Sequence, residues 1–337
     1  MYTELINELL IKTNIMHVFI DTNILLNFYH FTKDDLSELH NVFASHEKGA
    51  VKVYLTEQVR DEFSRNRETK IKDALKKFNS FNFNAELPSF MRDYEEYNEI
   101  IRLNRSLQQQ LKNINKKAES DIKYKNLEAD KLIERIFQSS EILHTTPEIY
   151  QKACQRTEVG NPPGKKDSIG DAINWLMLLD QIPEQAQLHL ISEDDDFYSI
   201  LNEKLINPFL EQEWKEQKKG SARAYRTLTE FMKEHFDGFT LSFDEEKKEL
   251  IQSLFDSGSF ANTHSLVEKL NSYGYFSLEE ARLILEATEN NDQVEAIITD
   301  DDVSEFLIKA VIPHRNNLQK QNHQTIIETV LEGRDKR

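Results

Sequence analysis

Cysteine is nearly absent from this chain, and long apolar runs are missing. Cys154 is the single cysteine among 337 residues, which excludes an internal disulfide and a cysteine-rich zinc site. No apolar run approaches the roughly 18 residues that a membrane-spanning helix needs. The N-terminal MYTELINELLIKTNIMH also lacks the apolar segment of a signal peptide. Together these absences predict a cytoplasmic protein.

Negative charge outweighs positive charge. The chain has 42 lysines and arginines against 59 aspartates and glutamates, and its net charge of −17 repels nucleic acid on average. Residues 101–117, IRLNRSLQQQLKNINKK, depart from that average because they contain five cations and no acid. Such a run is either a solvated helix face or a track for phosphate groups. The sequence leaves both interpretations open.

Short apolar segments alternate with helical patterns up to about residue 240. HVFI, AVKVYL and QLHLIS predict strands, and helical stretches separate them. This alternation indicates an α/β fold with a central parallel sheet. We predict an α/β domain over residues 1–240, with a helical insertion at about 92–143 whose long helices project from the core. Residues 241–337 show only helical spacing and predict a small all-α C-terminal domain.

Acidic residues follow the predicted strands. Asp21 comes after HVFI and Asp194 after QLHLIS, so both are expected at the edge where the carboxyl ends of parallel strands meet. Asp171 opens the helix behind NPPGKKDS, and Glu62 lies one to two turns into the helix after VYLTEQ. Converging carboxylates repel one another unless a cation lies among them. The sequence therefore predicts a site for Mg²⁺ or Mn²⁺, which prefer oxygen ligands.

A metal held by carboxylates indicates phosphodiester chemistry, because such an ion can activate water and hold a phosphate during in-line attack. The histidines show no H-E-x-x-H spacing, which disfavours zinc. Lys165 and Lys166 lie in the loop before Asp171, where they could hold a substrate phosphate. The predicted reaction is hydrolysis of a nucleic-acid backbone.

Four segments occur in an order and spacing typical of one enzyme family. FIDTNILL, LTEQVRDEF, DSIGDAINW and LISEDDDF resemble the motifs of the PIN-domain nucleases, and the likeness covers roughly residues 15–240. The resemblance implies a Rossmann-like sheet and a metal-dependent ribonuclease. It implies catalytic roles for Asp21, Glu62, Asp171 and Asp194, and metal binding by Asp21, Asp171, Asp194 and Asp196. The remaining site residues are interpreted as substrate-binding, namely Asn23, Lys165, Lys166, Asp167 and Ser192.

The individual acids also have structural explanations. Asp21 could cap a helix at the strand exit. Glu62 could pair with Arg65 on an exposed helix, and Asp171 could be an acid favoured by the dipole of its helix. The ordered set of motifs favours the catalytic interpretation over these separate ones.

Two other functions are alternatives. A haloacid-dehalogenase-type phosphotransferase also has an aspartate after its first strand, but it needs a second acid two residues later, where this chain has Asn23. A catalytically inactive PIN-like module would bind RNA or a protein without cleavage. For the nuclease we expect RNA as substrate, with single-stranded DNA as a second candidate, and a regulatory protein or a second copy bound through the C-terminal helices. The resemblance also implies a toxin or phage-defence role.

Overall fold

One parallel sheet organises the first part of the chain. The computed structural model describes residues 15–46, 51–80, 89–164, 169–236, 242–273, 275–318 and 320–335. Five strands occur in this described part: β1 (Met16–Ile20), β2 (Val51–Thr56), β3 (Glu141–Leu143), β4 (Gln187–Ile191) and β5 (Ser221–Tyr225). They pair in the spatial order β3-β2-β1-β4-β5, and each pairing is parallel. The predicted α/β fold class is confirmed.

Helices separate these strands along the chain. Those described before residue 237 are α1 (Thr22–Asn27), α2 (Lys33–His46), α3 (Glu57–Ser80), α4 (Glu95–Lys123), α5 (Glu128–Ser139), α6 (Pro147–Glu158), α7 (Gly170–Gln181), α8 (Pro208–Lys218) and α9 (Leu228–His235). Short 3₁₀ turns cover Phe28–His30, Ser89–Asp93 and Asp195–Phe197.

The C-terminal part is helical, as predicted. Its described helices are α10 (Ser242–Phe255), α11 (Phe260–Leu270), α12 (Leu278–Asn290), α13 (Asp292–Glu295), α14 (Asp301–Val311) and α15 (Gln321–Asp335), with a 3₁₀ segment at Ile312–Asn317. Ser277 starts α12 with a capping box, in which its hydroxyl accepts from the Glu280 N–H while the Glu280 carboxylate accepts from the Ser277 N–H.

The neighbouring strands β1 and β4 each contain an uninterrupted run of buried residues. Residues 18–20 of β1 and 188–191 of β4 are buried, as expected for parallel strands that are covered on both faces. The register pairs Ile20 with Ile191, so Asp21 and Ser192 leave the sheet side by side. A hydrogen bond of 2.9 Å from the Asp21 N–H to the Ile191 carbonyl continues the pairing beyond the strands.

The insertion differs from its prediction. No residue of α4 is buried, in keeping with a projecting helix. Leu132, Ile133 and Ile136 of α5, however, are buried in the core that contains the sheet, and residues 141–143 form the edge strand β3. These apolar residues occupy one face of a short helix. When residues 92–143 are considered as one segment, the long helix α4 lowers the average apolar content and hides this pattern.

Buried hydrophobic side chains form two clusters. One runs from Val18 to Met232 and contains the sheet, and the other runs from Leu250 to Val330. The predicted domain boundary at residues 240 and 241 falls at or next to residues that are not described, so it stays a prediction. Within the described part, no helix combines the length and the apolar character needed to cross a membrane.

A buried ion pair joins three helices around the insertion. Nε and Nη2 of Arg67 on α3 donate to the two oxygens of Asp130 on α5, at 2.8 and 2.7 Å, and both side chains are buried. Arg67 Nη2 also donates to the carbonyl of Ile122 at the end of α4. The Tyr29 hydroxyl donates to Asp130 as well, at 2.6 Å. This network fixes the helix that carries Glu62.

The Asp130→Asn variant should be destabilised by about 3–5 kcal/mol, because it leaves the buried charge of Arg67 without its partner. Glu128→Gln on the same helix is the matched control, since the Glu128–Lys131 pair is exposed and contributes little. Urea unfolding followed by circular dichroism measures both variants. Equal stabilities of the two would contradict a buried Arg67–Asp130 pair.

Candidate metal centre

Four elements deliver acidic side chains to the carboxyl edge of the sheet. Asp21 follows β1 directly and caps α1. Asp194 follows β4 and caps the 3₁₀ turn at Asp195–Phe197. Asp171 lies in the first turn of α7, and Glu62 lies in the second turn of α3. Strand ends thus place two of the acids, and helix packing places the other two.

A buried hydrogen bond anchors α7 to the sheet edge. The Thr56 hydroxyl donates to Oδ1 of Asn174 at 2.5 Å, and both side chains are buried. Thr56 ends β2, which pairs in parallel with β1, the strand that Asp21 follows. The first turn of α7 also lies close to α3, because a Cβ on Gly170 would come within 2.7 Å of the side-chain Nε2 of Gln58. These contacts fix the first turn of α7 near the strand ends.

Three carboxylates form a compact group. Oxygen atoms of Asp171, Asp194 and Asp196 all lie within 4.8 Å of one another, and the three residues are half-buried. Oδ1 of Asp194 accepts from the Asp196 N–H at 3.0 Å, which sets the spacing of these two acids. Oδ2 of Asp196 accepts from the Gly164 N–H at 3.1 Å, so the NPPG loop reaches the same group.

Asp21 is buried more deeply than these three acids and accepts hydrogen bonds from three donors. Its Oδ1 accepts from the Thr22 N–H at 2.7 Å, and its Oδ2 accepts from the Ser192 hydroxyl at 2.5 Å and from the Asn23 amide at 3.2 Å. The Ser192 oxygen in turn accepts from the Asp194 N–H at 3.1 Å. Asp21 is therefore tied through Ser192 to the segment that carries a member of the group. Its own metal-binding role stays a prediction.

Ser192 is tied to Asp21. The residue is 0% exposed and donates its hydroxyl hydrogen to Asp21, and its substrate-binding role stays a prediction. Asn23 is half-buried, and its amide bridges Asp21 and the N–H of Glu193. Its contact with substrate stays a prediction. Outside the described residues lie Lys165, Lys166 and Asp167, whose roles also stay predictions.

Excess negative charge characterises the site. Burial raises the pKa of Asp171 from 3.8 to about 8, and the charges of Asp21, Asp194 and Glu62 act in the same direction. Burial also raises the pKa of Asp21 to about 6, although its hydrogen bonds lower it. Because Glu62 affects both aspartates, its carboxylate belongs to the same electrostatic cluster.

The donor set fits a hard divalent cation. The compact group of Asp171, Asp194 and Asp196 offers only carboxylate oxygens, which suit Mg²⁺ and Mn²⁺. A cation among them would offset the burial and the repulsion that together raise the pKa of Asp171. The residues present therefore match a metal of this kind.

Arg226, which no sequence motif indicated, holds the segment next to the carboxylate group. It is buried, and its Nη1 donates to the Glu193 carbonyl at 3.0 Å and to Oδ1 of Asp195 at 2.7 Å. The guanidinium lies 3.6 Å from the ring centroid of Tyr198. The Tyr198 hydroxyl donates to the Ser192 carbonyl at 2.7 Å. Both side chains thus fix residues 192–195.

The C-terminal helices contact the same arginine. The ring centroid of Tyr275 lies 4.5 Å from the Arg226 guanidinium, and the Tyr275 hydroxyl donates to Oε2 of Glu203 at 3.0 Å. Oε1 of Glu203 accepts from the Leu278 N–H, at the N-terminus of α12, at 2.9 Å. His314 Nδ1 lies 3.2 Å from Oε2 of the same glutamate. This network links the helical part to residues 193–195.

Arg226 could have been found with the rule that locates Asp21, since it follows β5 as Asp21 follows β1. Arg226 was missed because β5 was not predicted. Its sequence, SARAY, lacks the apolar β-branched run of the strands that were identified.

The fold and the acidic group together suit a nuclease-type protein, and a comparison with protein families supports this class. A family model described as a PIN domain matches residues 18–197, more than half of the chain. The chain therefore belongs to the PIN-domain family. No curated protein and no solved structure matches it.

The Asp171→Asn variant should lose less stability with rising pH than the unchanged protein when both are free of metal. The folded-state pKa of Asp171, about 8, lies above its ordinary 3.8. The native state therefore binds the extra proton, and its stability falls as the pH rises from about 4 to about 8. Asparagine removes this penalty. The melting temperature, measured across that pH range in EDTA, should decline less in the variant.

Mn²⁺ should raise the melting temperature of the unchanged protein and have little effect on Asp171→Asn. Asp61→Asn, which neutralises an exposed acid on α3, should behave like the unchanged protein in both experiments. If Asp171 were only an acid favoured by its helix dipole, asparagine would destabilise the protein as the pH rises and leave the response to Mn²⁺ intact.

The Tyr275→Ala variant should bind Mn²⁺ about fivefold more weakly, because Arg226 loses a ring contact worth roughly 1 kcal/mol and holds residues 193–195 less firmly. Tyr275→Phe keeps the ring and should retain most of the affinity. Isothermal titration calorimetry measures both, with circular dichroism as a check on folding. Equal Mn²⁺ affinities for all three proteins would show that the Tyr275 contact does not affect metal binding.

Proposed function

We propose that this protein is a metal-dependent endoribonuclease that hydrolyses RNA phosphodiester bonds with Mg²⁺ or Mn²⁺. The observation that carries the proposal is the convergence of Asp171, Asp194 and Asp196 within 4.8 Å of one another, in a chain of the PIN-domain family. Asp21 and Glu62 add further negative charge at the same place. An all-oxygen site of this kind suits phosphoryl chemistry.

In this proposal the acidic residues have separate roles. Asp171, Asp194 and Asp196 would hold the ion, which when bound favours ionisation of water and offsets the charge that develops on the phosphate. Asp21, fixed by Ser192 and Thr22, would keep the region negative and positioned.

Glu62 would orient the attacking water and accept its proton. The water oxygen forms a bond to phosphorus, and the 3′ oxygen leaves and takes up a proton. The products are a 5′-phosphate and a 3′-hydroxyl.

The phosphotransferase alternative is disfavoured by the chemistry of residue 23. That reaction needs an acid two residues after the first aspartate. Here Asn23 donates a hydrogen bond from its amide to Oδ2 of Asp21 at 3.2 Å. An amide is not an acid, so it cannot transfer a proton to a leaving group.

The inactive-module alternative is disfavoured by the electrostatic cost of the site. Aspartates whose pKa values are raised to about 6 and about 8 reduce stability at neutral pH. A scaffold that only binds a partner gains nothing from this cost, whereas a cation site requires such acids.

We also propose that the C-terminal helices restrain or direct the activity through a protein partner or a second copy. The contacts of Tyr275 with Arg226 and of Glu203 with Leu278 support this proposal, because they join the helices to the segment next to the metal-binding acids. A toxin or phage-defence role rests on the family resemblance alone.

Incubation with total RNA and Mn²⁺ should produce cleavage that EDTA abolishes and that Asp194→Asn reduces to background. Glu62→Gln should keep its Mn²⁺ affinity and lower kcat by about a hundredfold or more, because it removes the proton acceptor. Asp61→Asn is the control and should cleave normally. End-labelling of the fragments should show 5′-phosphates.

Products with 2′,3′-cyclic phosphate ends would contradict attack by water. RNA retention without cleavage under all metal conditions would support the inactive module instead. Turnover of a small phosphate monoester, with RNA left intact, would favour the phosphotransferase.

A further inference from the structure

The longest described helix, α4, presents positive charge along one side. Arg105, Lys112, Lys116 and Lys123 occupy positions that, at 3.6 residues per turn, lie within about 40° of one another around the helix axis. We call these four residues the α4 cationic stripe. Each of them is exposed. The helix has no buried residue that would require these side chains for packing.

Three of the four cations in the stripe form no ion pair with a described acid. Arg102, near the start of the helix, pairs with Glu99 at 2.7 Å. Among the residues that the structure describes, no acid forms an ion pair with Arg105, Lys112 or Lys116. No acid occurs in the sequence between residues 100 and 118, and Glu119, which lies on the same side of the helix near the Lys123 end, accepts a hydrogen bond from Asn115 at 2.9 Å. A lysine in the last helical turn is favoured by the helix dipole, but that explanation covers Lys123 only.

One end of the stripe contacts the helix that carries Glu62. From Arg105 to Lys123 the stripe extends for about 27 Å at 1.5 Å per residue. At its Lys123 end, the Ile122 carbonyl accepts a hydrogen bond from Arg67 on α3. Arg67 lies five residues, or about 7.5 Å along the helix axis, beyond Glu62. The Lys123 end therefore lies beside α3, the helix that carries Glu62.

An exposed aromatic ring marks the same end. Tyr124 is 64% exposed, and Lys123 Nζ lies 5.5 Å from the centroid of its ring. Cations that follow a backbone, combined with an exposed ring on which a base can stack, are the two elements of single-strand binding sites.

We propose that the α4 cationic stripe binds the phosphate backbone of single-stranded RNA and leads the strand to the carboxylates at the sheet edge. This inference rests on the proposed function for the identity of the strand. With a net charge of −17, the remaining surface repels a polyanion, so binding is confined to the stripe and is strongly salt-dependent. Tyr124 stacks on a base where the strand leaves the helix.

The first test measures binding without cleavage. Full-length protein in EDTA is titrated into fluorescein-labelled single-stranded RNA, and anisotropy gives the affinity at several salt concentrations. The stripe variant is R105Q/K112Q/K116Q. The control is K215Q/K233Q/K248Q, which removes three exposed lysines from α8, α9 and α10 and gives the same net charge. Glutamine keeps the helix propensity of lysine and arginine.

The stripe variant should bind about ten- to a hundredfold more weakly at 0.1 M salt, and its log–log salt slope should fall by about 2, or 0.7 for each lost phosphate contact. The control should match the unchanged protein. Tyr124→Leu should weaken binding at least about fivefold without changing the slope, and Tyr124→Phe should not. Equal affinities and slopes for the stripe variant and the control would overturn the proposal.

Cleavage assays with Mn²⁺ separate this inference from the proposed function. The stripe variant should have a raised KM and an unchanged kcat. If the unchanged protein binds RNA through the stripe but does not cleave it, the docking surface stands and the nuclease proposal fails. If cleavage proceeds with the same KM in the stripe variant, the nuclease proposal stands and the docking surface fails.

Discussion

Mutual repulsion among carboxylates at a buried sheet edge is the constraint on which this structure depends. Asp171 has its pKa raised to about 8 by burial and by neighbouring acids, so the metal-free site carries a cost that a divalent cation offsets. The surrounding structure maintains the arrangement against this repulsion. The Thr56–Asn174 hydrogen bond anchors α7, and Ser192 joins Asp21 to the Asp194 backbone.

The segment between residues 192 and 196 connects the carboxylate group to the rest of the molecule. On one side it carries two members of the carboxylate group. On the other side, Arg226 donates a hydrogen bond to the Glu193 carbonyl of this segment. The Arg226 guanidinium packs against Tyr198 and against Tyr275, which lies in the C-terminal part. One buried side chain, Arg226, thus contacts both the C-terminal part and the segment that carries two members of the carboxylate group.

The sequence predicted what depends on strand ends and on apolar periodicity. The two central strands, the acids that follow them and the helical C-terminal part were all expected from local patterns, and the PIN-domain resemblance was confirmed by the family match. Strands β3 and β5 were missed because EIL is short and SARAY is poor in apolar residues. The burial of Ser192 and the position of Arg226 depend on tertiary packing, which no short sequence window contains.

The most direct test of the central claim is a crystal structure grown with Mn²⁺, with anomalous scattering used to locate the ion. The account predicts an anomalous peak within coordination distance of carboxylate oxygens of Asp171, Asp194 and Asp196, and its loss in crystals of Asp171→Asn. No peak at this group, with the three carboxylates paired to lysine or arginine side chains instead, would contradict it.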